Sequence, residues 1–122
     1  MPIVDLQVVS AGAIGLPPKE VQAVADALGH VFGAAPGRTW VRASTLPSGA
    51  YAENDVRLTE EDLPVFVTIL HAHPPVGEAL TAEVLAVTVT VAKCLARMEG
   101  RVHVQYAPPG AGRIAFGGKL VQ

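Results

Sequence analysis

The residue with the clearest chemical potential is Pro2, which follows Met1. Removal of Met1 would leave a secondary amine whose position is fixed, because proline has no flexible stem between its amine and the backbone. An apolar pocket, or a neighbouring cation, disfavours the charged form of such an amine and lowers its pKa. The amine could then act as a general base near neutral pH. The alternative is that Pro2 is only a processing signal at the start of a strand.

Two other patterns in the sequence could bind ligands. His71 and His73 are two residues apart, so a strand would place both imidazoles on one face as a possible metal pair. No third ligand follows at a spacing typical of zinc sites, and we therefore predict no metal. The glycines at 110–112 and 117–118 lack the following helix that a dinucleotide-binding loop requires. We expect turns at these glycines, and no cofactor.

The elements that must position these residues occur twice. Residues 2–9 and 64–71 each consist of a proline followed by a β-branched run, and residues 37–43 and 100–106 each begin with Gly-Arg. Between the two runs of each half lies an apolar pattern with helical spacing, which starts after a Pro-Pro pair at 17–18 and at 74–75. Each half therefore predicts one β-α-β unit with a right-handed crossover and parallel strands.

The predicted helices end at Gly33, with Pro36 shortly after it, and at Gly100. Residues 84–91 are β-branched and could be a strand, but their length and flanking signals favour a helix. We predict one α/β domain over residues 1–122, with repeats at approximately 2–44 and 64–107 related by a pseudo-two-fold axis. Its mixed sheet has four strands, two helices on one face and short extra strands. Residues 114–116 are long enough to pair with a neighbour's sheet edge.

Composition excludes several classes of function. The 122 residues are 50% hydrophobic with a net charge of −2, which permits a packed core and argues against disorder. No basic run indicates a nucleic-acid or membrane partner. The single cysteine, Cys94, cannot form an internal disulfide, and neither a signal peptide nor an apolar segment of about 20 residues is visible. We expect a soluble cytoplasmic protein, which would oligomerise if its sheet leaves an apolar face uncovered.

Several of these features together resemble the tautomerase superfamily. They are the sequence PIVDL at residues 2–6, the two-fold β-α-β repeat, the strand GRVHVQY at 100–106 and the small-residue tail to Phe116. The branch of macrophage migration inhibitory factor and its bacterial relatives is the most similar, through the order of elements rather than through identities. The resemblance implies a homotrimer with active sites at subunit interfaces and an amino-terminal proline as the base in keto–enol tautomerisation. Related branches use the same proline in dehalogenation by hydration and in decarboxylation.

The resemblance assigns the first part of the pocket by position. Pro2 is the catalytic base, and Ile3 lies beside it. Ala34 stands where the family has a lysine, so that cation is missing. Arg38 falls on a pocket-edge tyrosine and can compensate, since a guanidinium binds a carboxylate with two hydrogen bonds and would help to keep the amine neutral. The alternative for Arg38 is a solvated side chain at the start of a strand.

The resemblance places the remaining pocket residues in the second half of the chain. His103 and Gln105 fall on the family's pocket tyrosine and asparagine, and Ile114 and Phe116 fall on its apolar lid. His103 could donate a hydrogen bond to a carbonyl or enolate oxygen. Gln105 shares its strand face and can orient a substrate but cannot ionise. The alternative for His103 is a hydrogen-bonded interior histidine.

The leading function is proton transfer next to a carbonyl in a small 2-oxo or unsaturated carboxylic acid, which makes the protein a tautomerase. A hydratase or dehalogenase of the same superfamily is an alternative, but it would need a carboxylate to activate water, and Glu53 is the candidate. A decarboxylase is a third possibility. The replaced lysine and tyrosine also leave open a non-catalytic trimer that binds a ligand or partner through the same pocket.

The first prediction concerns Met1. If Met1 stays attached, the nitrogen of Pro2 is a tertiary amide without a basic lone pair, so we expect such material to be inactive as a tautomerase. Processed protein should be active and should lose most of its activity on Pro2→Ala, which keeps a primary and more mobile amine. Turnover of enol-phenylpyruvate by the two forms, each verified by mass spectrometry, checks this. Equal turnover would eliminate Pro2 as the base.

Overall fold

A four-stranded sheet joins the two halves of the chain. The computed structural model describes residues 1–12 and 15–122. The strands are β1 (Pro2–Ser10), β2 (Trp40–Pro47), β3 (Val65–His71) and β4 (Val102–Tyr106), in the order β2-β1-β3-β4. β1 is parallel to β2 and β3 is parallel to β4, whereas β1 and β3 are antiparallel. This arrangement confirms the predicted mixed sheet of two β-α-β units.

Two helices cover one face of this sheet. α1 (Pro18–Val31) begins at the first proline pair, where the missing amide hydrogen of Pro18 costs no intrahelical bond. α2 (Gly77–Leu95) begins just after the second pair. The β-branched residues 84–91 are helical as predicted, and Val87 and Val91 pack into the core. Within the part of the chain that the structure describes, no helix is long and apolar enough to span a membrane.

The two helices end differently. Gly33 follows α1 with a positive φ of 62°, as a glycine after a helix is expected to do. α2 ends before Gly100, because Ala96 adopts a φ of 52° and the amide of Arg97 donates to the carbonyl of Ala92. The Arg97 guanidinium then donates to the backbone carbonyl of Val9 in β1 at 3.0 Å and to that of Leu63, just before β3, at 2.7 Å. These two bonds attach the end of α2 to both central strands.

The core lies between the helices and the sheet. Val4, Leu6 and Val8 alternate along β1 and are at most 2% exposed, since every second side chain of a strand faces the same way. Buried residues of the other elements complete the core: Val24, Leu28, Val65, Val67, Ile69, Val87, Val91, Ala92 and Val102. Nearly all are small or β-branched, and the aromatic side chains of Phe32 and Tyr106 pack against this core while only partly buried.

The middle of the sheet face without helices carries several polar side chains. Asp5 accepts two hydrogen bonds from Arg42, at 2.6 and 2.9 Å. A shallow groove of about 500 Å³ runs beside this pair and is also lined by Gln7, Ser44 and Gln105. Phe66 also lines this groove, so the uncovered face combines polar and apolar side chains.

The C-terminal segment forms a hairpin of its own. β5 (Ala115–Phe116) pairs with β6 (Lys119–Leu120) in antiparallel orientation. The predicted glycine turns are confirmed, because Gly112, Gly117 and Gly118 all have positive φ angles, between 57° and 86°. The run at 114–116 thus finds a partner strand within the chain, where the sequence had indicated a neighbour's edge.

The second prediction tests the core. Leu28 of α1 is 0% exposed and Leu85 of α2 is 61% exposed, so the same substitution can be compared at two helical sites. Leu28→Ala should lower the free energy of unfolding by about 2–5 kcal/mol because it leaves a cavity. Leu85→Ala should change it by less than about 0.5 kcal/mol. Urea unfolding at one fixed protein concentration measures both, and similar losses would contradict the layer arrangement.

Candidate active site

The strand register places Pro2 directly opposite His71. Pro2 is buried, and it pairs with His71 across β1 and β3. Residues opposite each other in an antiparallel pair have Cβ atoms about 4.5–5.5 Å apart. Both side chains lie on the helix-covered face, because Val4 and Ile69, two residues further along each strand, belong to the core. We call this edge of the sheet, with Pro2, Ile3, Leu70 and His71, the proline end.

His71 is held in a hydrogen-bonded network. Its Nε2 lies 2.9 Å from Oε2 of Glu83 on α2, and the same oxygen accepts the hydroxyl of Tyr106 at 2.6 Å. Phe32 packs edge-on against the imidazole, with ring centroids 5.2 Å apart, and the Tyr106 ring stacks on it at 6.0 Å. The side chains of His71 and Glu83 are only 11% and 15% exposed. We call the three hydrogen-bonded residues the His71–Glu83–Tyr106 triad.

The electrostatics of this triad define its donors and acceptor. Burial, and then the hydrogen bond to Glu83, raise the pKa of Tyr106 well above its usual value. The phenol therefore stays protonated and donates a hydrogen bond to Glu83. Because a carboxylate oxygen accepts both bonds, Nε2 of His71 is the second donor, a tautomer assigned from the hydrogen-bond network. In the neutral form of a ring with this tautomer, Nδ1 carries the lone pair.

The two histidines of the possible metal pair have separate partners. While His71 contacts Glu83, Nε2 of His73 lies 3.0 Å from the backbone oxygen of Gln122. β3 ends at His71, so the strand alternation that would align the two rings does not continue to His73. Among residues 1–12 and 15–122, no group of three or more side chains is arranged to hold a metal ion.

The C-terminal hairpin covers the helix-free side of the proline end. Ile3 pairs with Trp40, the first residue of β2. The indole of Trp40 stacks on the ring of Phe116 with centroids 4.4 Å apart and an interplanar angle of 14°. Trp40 therefore links two residues that the resemblance assigned to the pocket, since it pairs with Ile3 through its backbone and contacts Phe116 through its ring.

Ile114 reaches the same region through Gly110. A Cβ atom at Gly110 would lie 3.2 Å from Cδ1 of Leu70 and 3.4 Å from Cγ2 of Ile114, so a larger residue would crowd both side chains. Leu70 pairs with Ile3 across β1 and β3. The structure thus places Ile114 close to the proline end.

Arg38 and Ala34 lie on the loop between α1 and β2. Arg38 is exposed, precedes Trp40 by two residues, and its backbone amide donates to Ala35 at 3.0 Å. Within the described residues its guanidinium forms no ion pair, so it can receive an anion. Ala34 lines a groove along α1 that contains no residue of the proline end.

His103 and Gln105 lie far from Pro2 in the same chain. Both are exposed, and they pair with Phe66 and Thr68 of β3. Phe66 is five residues from His71 along that strand, which corresponds to roughly 16 Å. One chain therefore does not bring His103 to Pro2, and a site that contains both residues needs two chains.

The surroundings of His103 are ionic. The guanidinium of Arg101 forms an ion pair with Glu53, which also accepts the hydroxyl of Tyr51 at 2.7 Å. The rings of Tyr51 and His103 lie 5.8 and 5.4 Å from the ring of Phe66. The hydrogen bond from Arg101, and then that from Tyr51, lower the pKa of Glu53, with a smaller effect of His103. We call this cluster of Tyr51, Glu53, Arg101 and His103 the His103 end.

Sequence reasoning missed the triad and the ionic partners of His103. One available signal was the helical position of Glu83, which precedes Val87 and Val91 by four and eight residues. Residues at this spacing share a helix face, so an acidic side chain there must turn toward the core. No comparable signal exists for Arg101 and Tyr51, because their meeting at Glu53 depends on how the loop after β2 folds.

Comparison with known proteins adds to this geometry. No protein-family model and no curated protein matches the sequence. By structure, the chain is similar to Pt0534 inactivated by 2-oxo-3-pentynoate, with a TM-score of 0.75, 17% identity, and 98% of this chain and 94% of that chain covered. The chain is also similar to macrophage migration inhibitory factor from Oncomelania hupensis, with a TM-score of 0.74 and 14% identity. This match covers 100% of this chain and 83% of that chain. A third similar structure is that of N1, a member of the cis-3-chloroacrylic acid dehalogenase family, with a TM-score of 0.73 and 21% identity. This match covers 97% of this chain and 83% of that chain.

Other solved structures are also similar to this chain. They include fused 4-OT as a symmetric trimer and malonate semialdehyde decarboxylase inhibited by 3-bromopropiolate. These proteins belong to the tautomerase superfamily, and the predicted resemblance is confirmed at the level of the fold. The chain has the tautomerase fold, shared with enzymes that catalyse different reactions.

The third prediction concerns Glu53 and pH. Since its pKa in the folded protein lies below the ordinary value, folding favours its ionised form, and this stabilisation is lost as pH falls through the lowered value. Between about pH 5 and pH 2 the wild type should therefore lose more thermal stability than Glu53→Gln. The surface variant Glu60→Gln should behave like the wild type. Melting temperatures at several pH values measure this, and parallel curves for wild type and Glu53→Gln would contradict it.

Proposed function

We propose that this protein is a tautomerase that moves a proton next to the carbonyl of a small 2-oxo or unsaturated carboxylic acid. The observation that carries the proposal is that Pro2, the first residue of β1, is buried. After removal of Met1, its nitrogen would be a secondary amine in surroundings that disfavour charge. The amine would take a proton from the carbon next to the carbonyl, leaving an enolate, and return it at another atom.

Arg38 would anchor the substrate carboxylate. The side chain is exposed on the loop before β2, whose first residue pairs with Ile3. A guanidinium binds a carboxylate through two parallel hydrogen bonds and stays charged at any working pH. A cation near the amine also disfavours protonation of Pro2. Ile3, Ile114 and Phe116 would then exclude water on the apolar side of the substrate.

His103 and Gln105 would come from a neighbouring copy of the chain. We propose a homotrimer in which the His103 end of one protomer meets the proline end of the next. Two facts support this. Within one chain, roughly 16 Å of strand β3 separate the position opposite Pro2 from the position opposite His103. The structurally similar fused 4-OT proteins are symmetric and asymmetric trimers. In such a site His103 would donate a hydrogen bond to the enolate oxygen, and Gln105 would orient the substrate.

Hydration or dehalogenation is the second candidate, because Glu53 lies in the cluster that contains His103. Arg101 and Tyr51 lower the pKa of this carboxyl, which makes Glu53 a weaker base toward water. Tautomerisation needs no such carboxylate and is therefore the better match. An acetylenic 2-oxo acid, the chemical class of the compound that inactivated Pt0534, also suits the proposed site as an electrophile for a neutral amine.

The fourth prediction tests the shared site by mixing subunits. Processed Pro2→Ala and His103→Ala proteins should each turn over enol-phenylpyruvate poorly. If each site takes Pro2 from one protomer and His103 from its neighbour, random mixing makes one half times one half, or about one quarter, of the sites intact. Refolding the two variants together should thus restore about one quarter of wild-type turnover. Refolding Pro2→Ala with His30→Ala, a position on α1 outside the site, is the matched control and should give about one half.

The other outcomes are informative. No recovery in the first mixture, with one half in the control, would show that a site takes Pro2 and His103 from the same chain and would contradict the shared site. Absence of turnover in the processed wild type across 2-oxo acids, together with saturable binding of one of them, would replace the tautomerase by a ligand-binding trimer. A hydrated product from an acetylenic acid would favour the second candidate instead.

A further inference from the structure

The His71–Glu83–Tyr106 triad has no part in the proposed reaction, although it lies directly beside the proposed base. Its members come from three different elements: His71 ends β3, Glu83 lies on α2 and Tyr106 ends β4. A buried carboxylate and imidazole are costly to desolvate unless they are paired. Here both hydrogen bonds converge on one oxygen of Glu83, at 2.6 and 2.9 Å.

The imidazole of His71 is held in one orientation. Glu83 fixes Nε2, Phe32 contacts the ring edge-on and Tyr106 stacks against it. The nitrogen that remains for another partner is Nδ1, which carries the lone pair of the neutral ring. The β-sheet register places the residue with this lone pair directly opposite Pro2 and on the same face of the sheet.

We propose that His71, oriented by Glu83, is a positioning residue that takes the resting proton from the Pro2 amine and so keeps the base free. The proposal rests on the role of Pro2 given above. In this step an N–H bond of the protonated amine breaks and an N–H bond forms at Nδ1 of His71. The positive charge moves to the imidazole, where it pairs with the carboxylate of Glu83. No electrons are transferred, and no further reactant is required.

The energetic requirement is small. The ordinary pKa values of an α-amino group and of an imidazole differ by only roughly 1 to 1.5. The carboxylate of Glu83, with Oε2 2.9 Å from Nε2 of His71, lies where it can pair with the positive charge once the proton has moved. The titratable groups facing His71 are Glu83 from α2, Tyr106 from β4 and Pro2 from β1, whereas Phe32, which follows α1, does not titrate.

The fifth prediction is the effect of the triad on the pH dependence of Pro2 alkylation. Processed protein is treated with 2-oxo-3-pentynoate, and the rate of mass addition at Pro2 follows the fraction of neutral amine. Without its acceptor the amine should stay protonated to higher pH, so Glu83→Gln and His71→Gln should each raise the midpoint by about one pH unit. The double variant should show no larger shift, because the two residues act as one unit.

A purely electrostatic role of Glu83 predicts that Glu83→Gln shifts the midpoint of Pro2 alkylation in the opposite direction. If Glu83 acted only through its negative charge, Glu83→Gln would lower the midpoint, since a nearby anion favours the protonated amine. A lowered or unchanged midpoint in this variant would therefore overturn the proposal. Glu78 and His30, which lie outside the triad, provide matched controls, and Glu78→Gln and His30→Gln should leave the midpoint in place. All variants are compared as folded protein, verified by circular dichroism.

A measurement on the unaltered sequence covers the case in which the variants do not fold. Nitrogen-15 NMR of the His71 ring near neutral pH should show an imidazolium in processed protein and a neutral ring in Met1-retaining protein, whose Pro2 nitrogen carries no proton. Identical ring signals in the two forms would overturn the proposal. Alkylation at a residue other than Pro2 would instead contradict the proposed function, so the two failures are distinguishable.

Discussion

The antiparallel pairing of β1 with β3 is the constraint on which the rest of the structure depends. It runs from Pro2 opposite His71 to Val8 opposite Val65, and within the described residues it is the one direct strand contact between the two halves of the four-stranded sheet. Each half forms a parallel pair by its own crossover helix, but neither half could cover its strands alone. The same pairing determines which side chains meet Pro2 and which lie at the opposite end of the sheet.

The distance between the two ends has a direct functional meaning. A substrate small enough for one pocket cannot bridge roughly 16 Å along a strand, so the proposed joint action of Pro2 and the His103 end requires two chains. The polar side chains in the middle of the helix-free face agree with this. Asp5 and Arg42 already satisfy one another there, and neighbouring groups such as Gln7 and Gln105 can form specific hydrogen bonds where an apolar face would associate without register.

The triad beside Pro2 shows how a core of small side chains accommodates charge. Glu83 lies on the face of α2 that buries Val87 and Val91, a position that an isolated carboxylate could occupy only at high cost. His71 and Tyr106 arrive from two adjacent parallel strands and satisfy it with two donors. This ionisable group lies next to the proline end rather than elsewhere in the core, which is the placement that the proposed proton transfer from Pro2 requires.

The sequence alone determined the two β-α-β units, the helix-covered face and the exceptional position of Pro2, because periodicity and proline or glycine signals are local properties of the chain. It also indicated a family resemblance, which the fold confirms. It misplaced the end of α2, since a left-handed Ala96 attached through Arg97 has no local signature. Only the tertiary structure decided that His71 contacts Glu83 and Tyr106, that Glu53 pairs with Arg101, and that His103 lies far from Pro2. These contacts depend on strand register and on residues 12 to 48 positions apart in the chain, which no local pattern encodes.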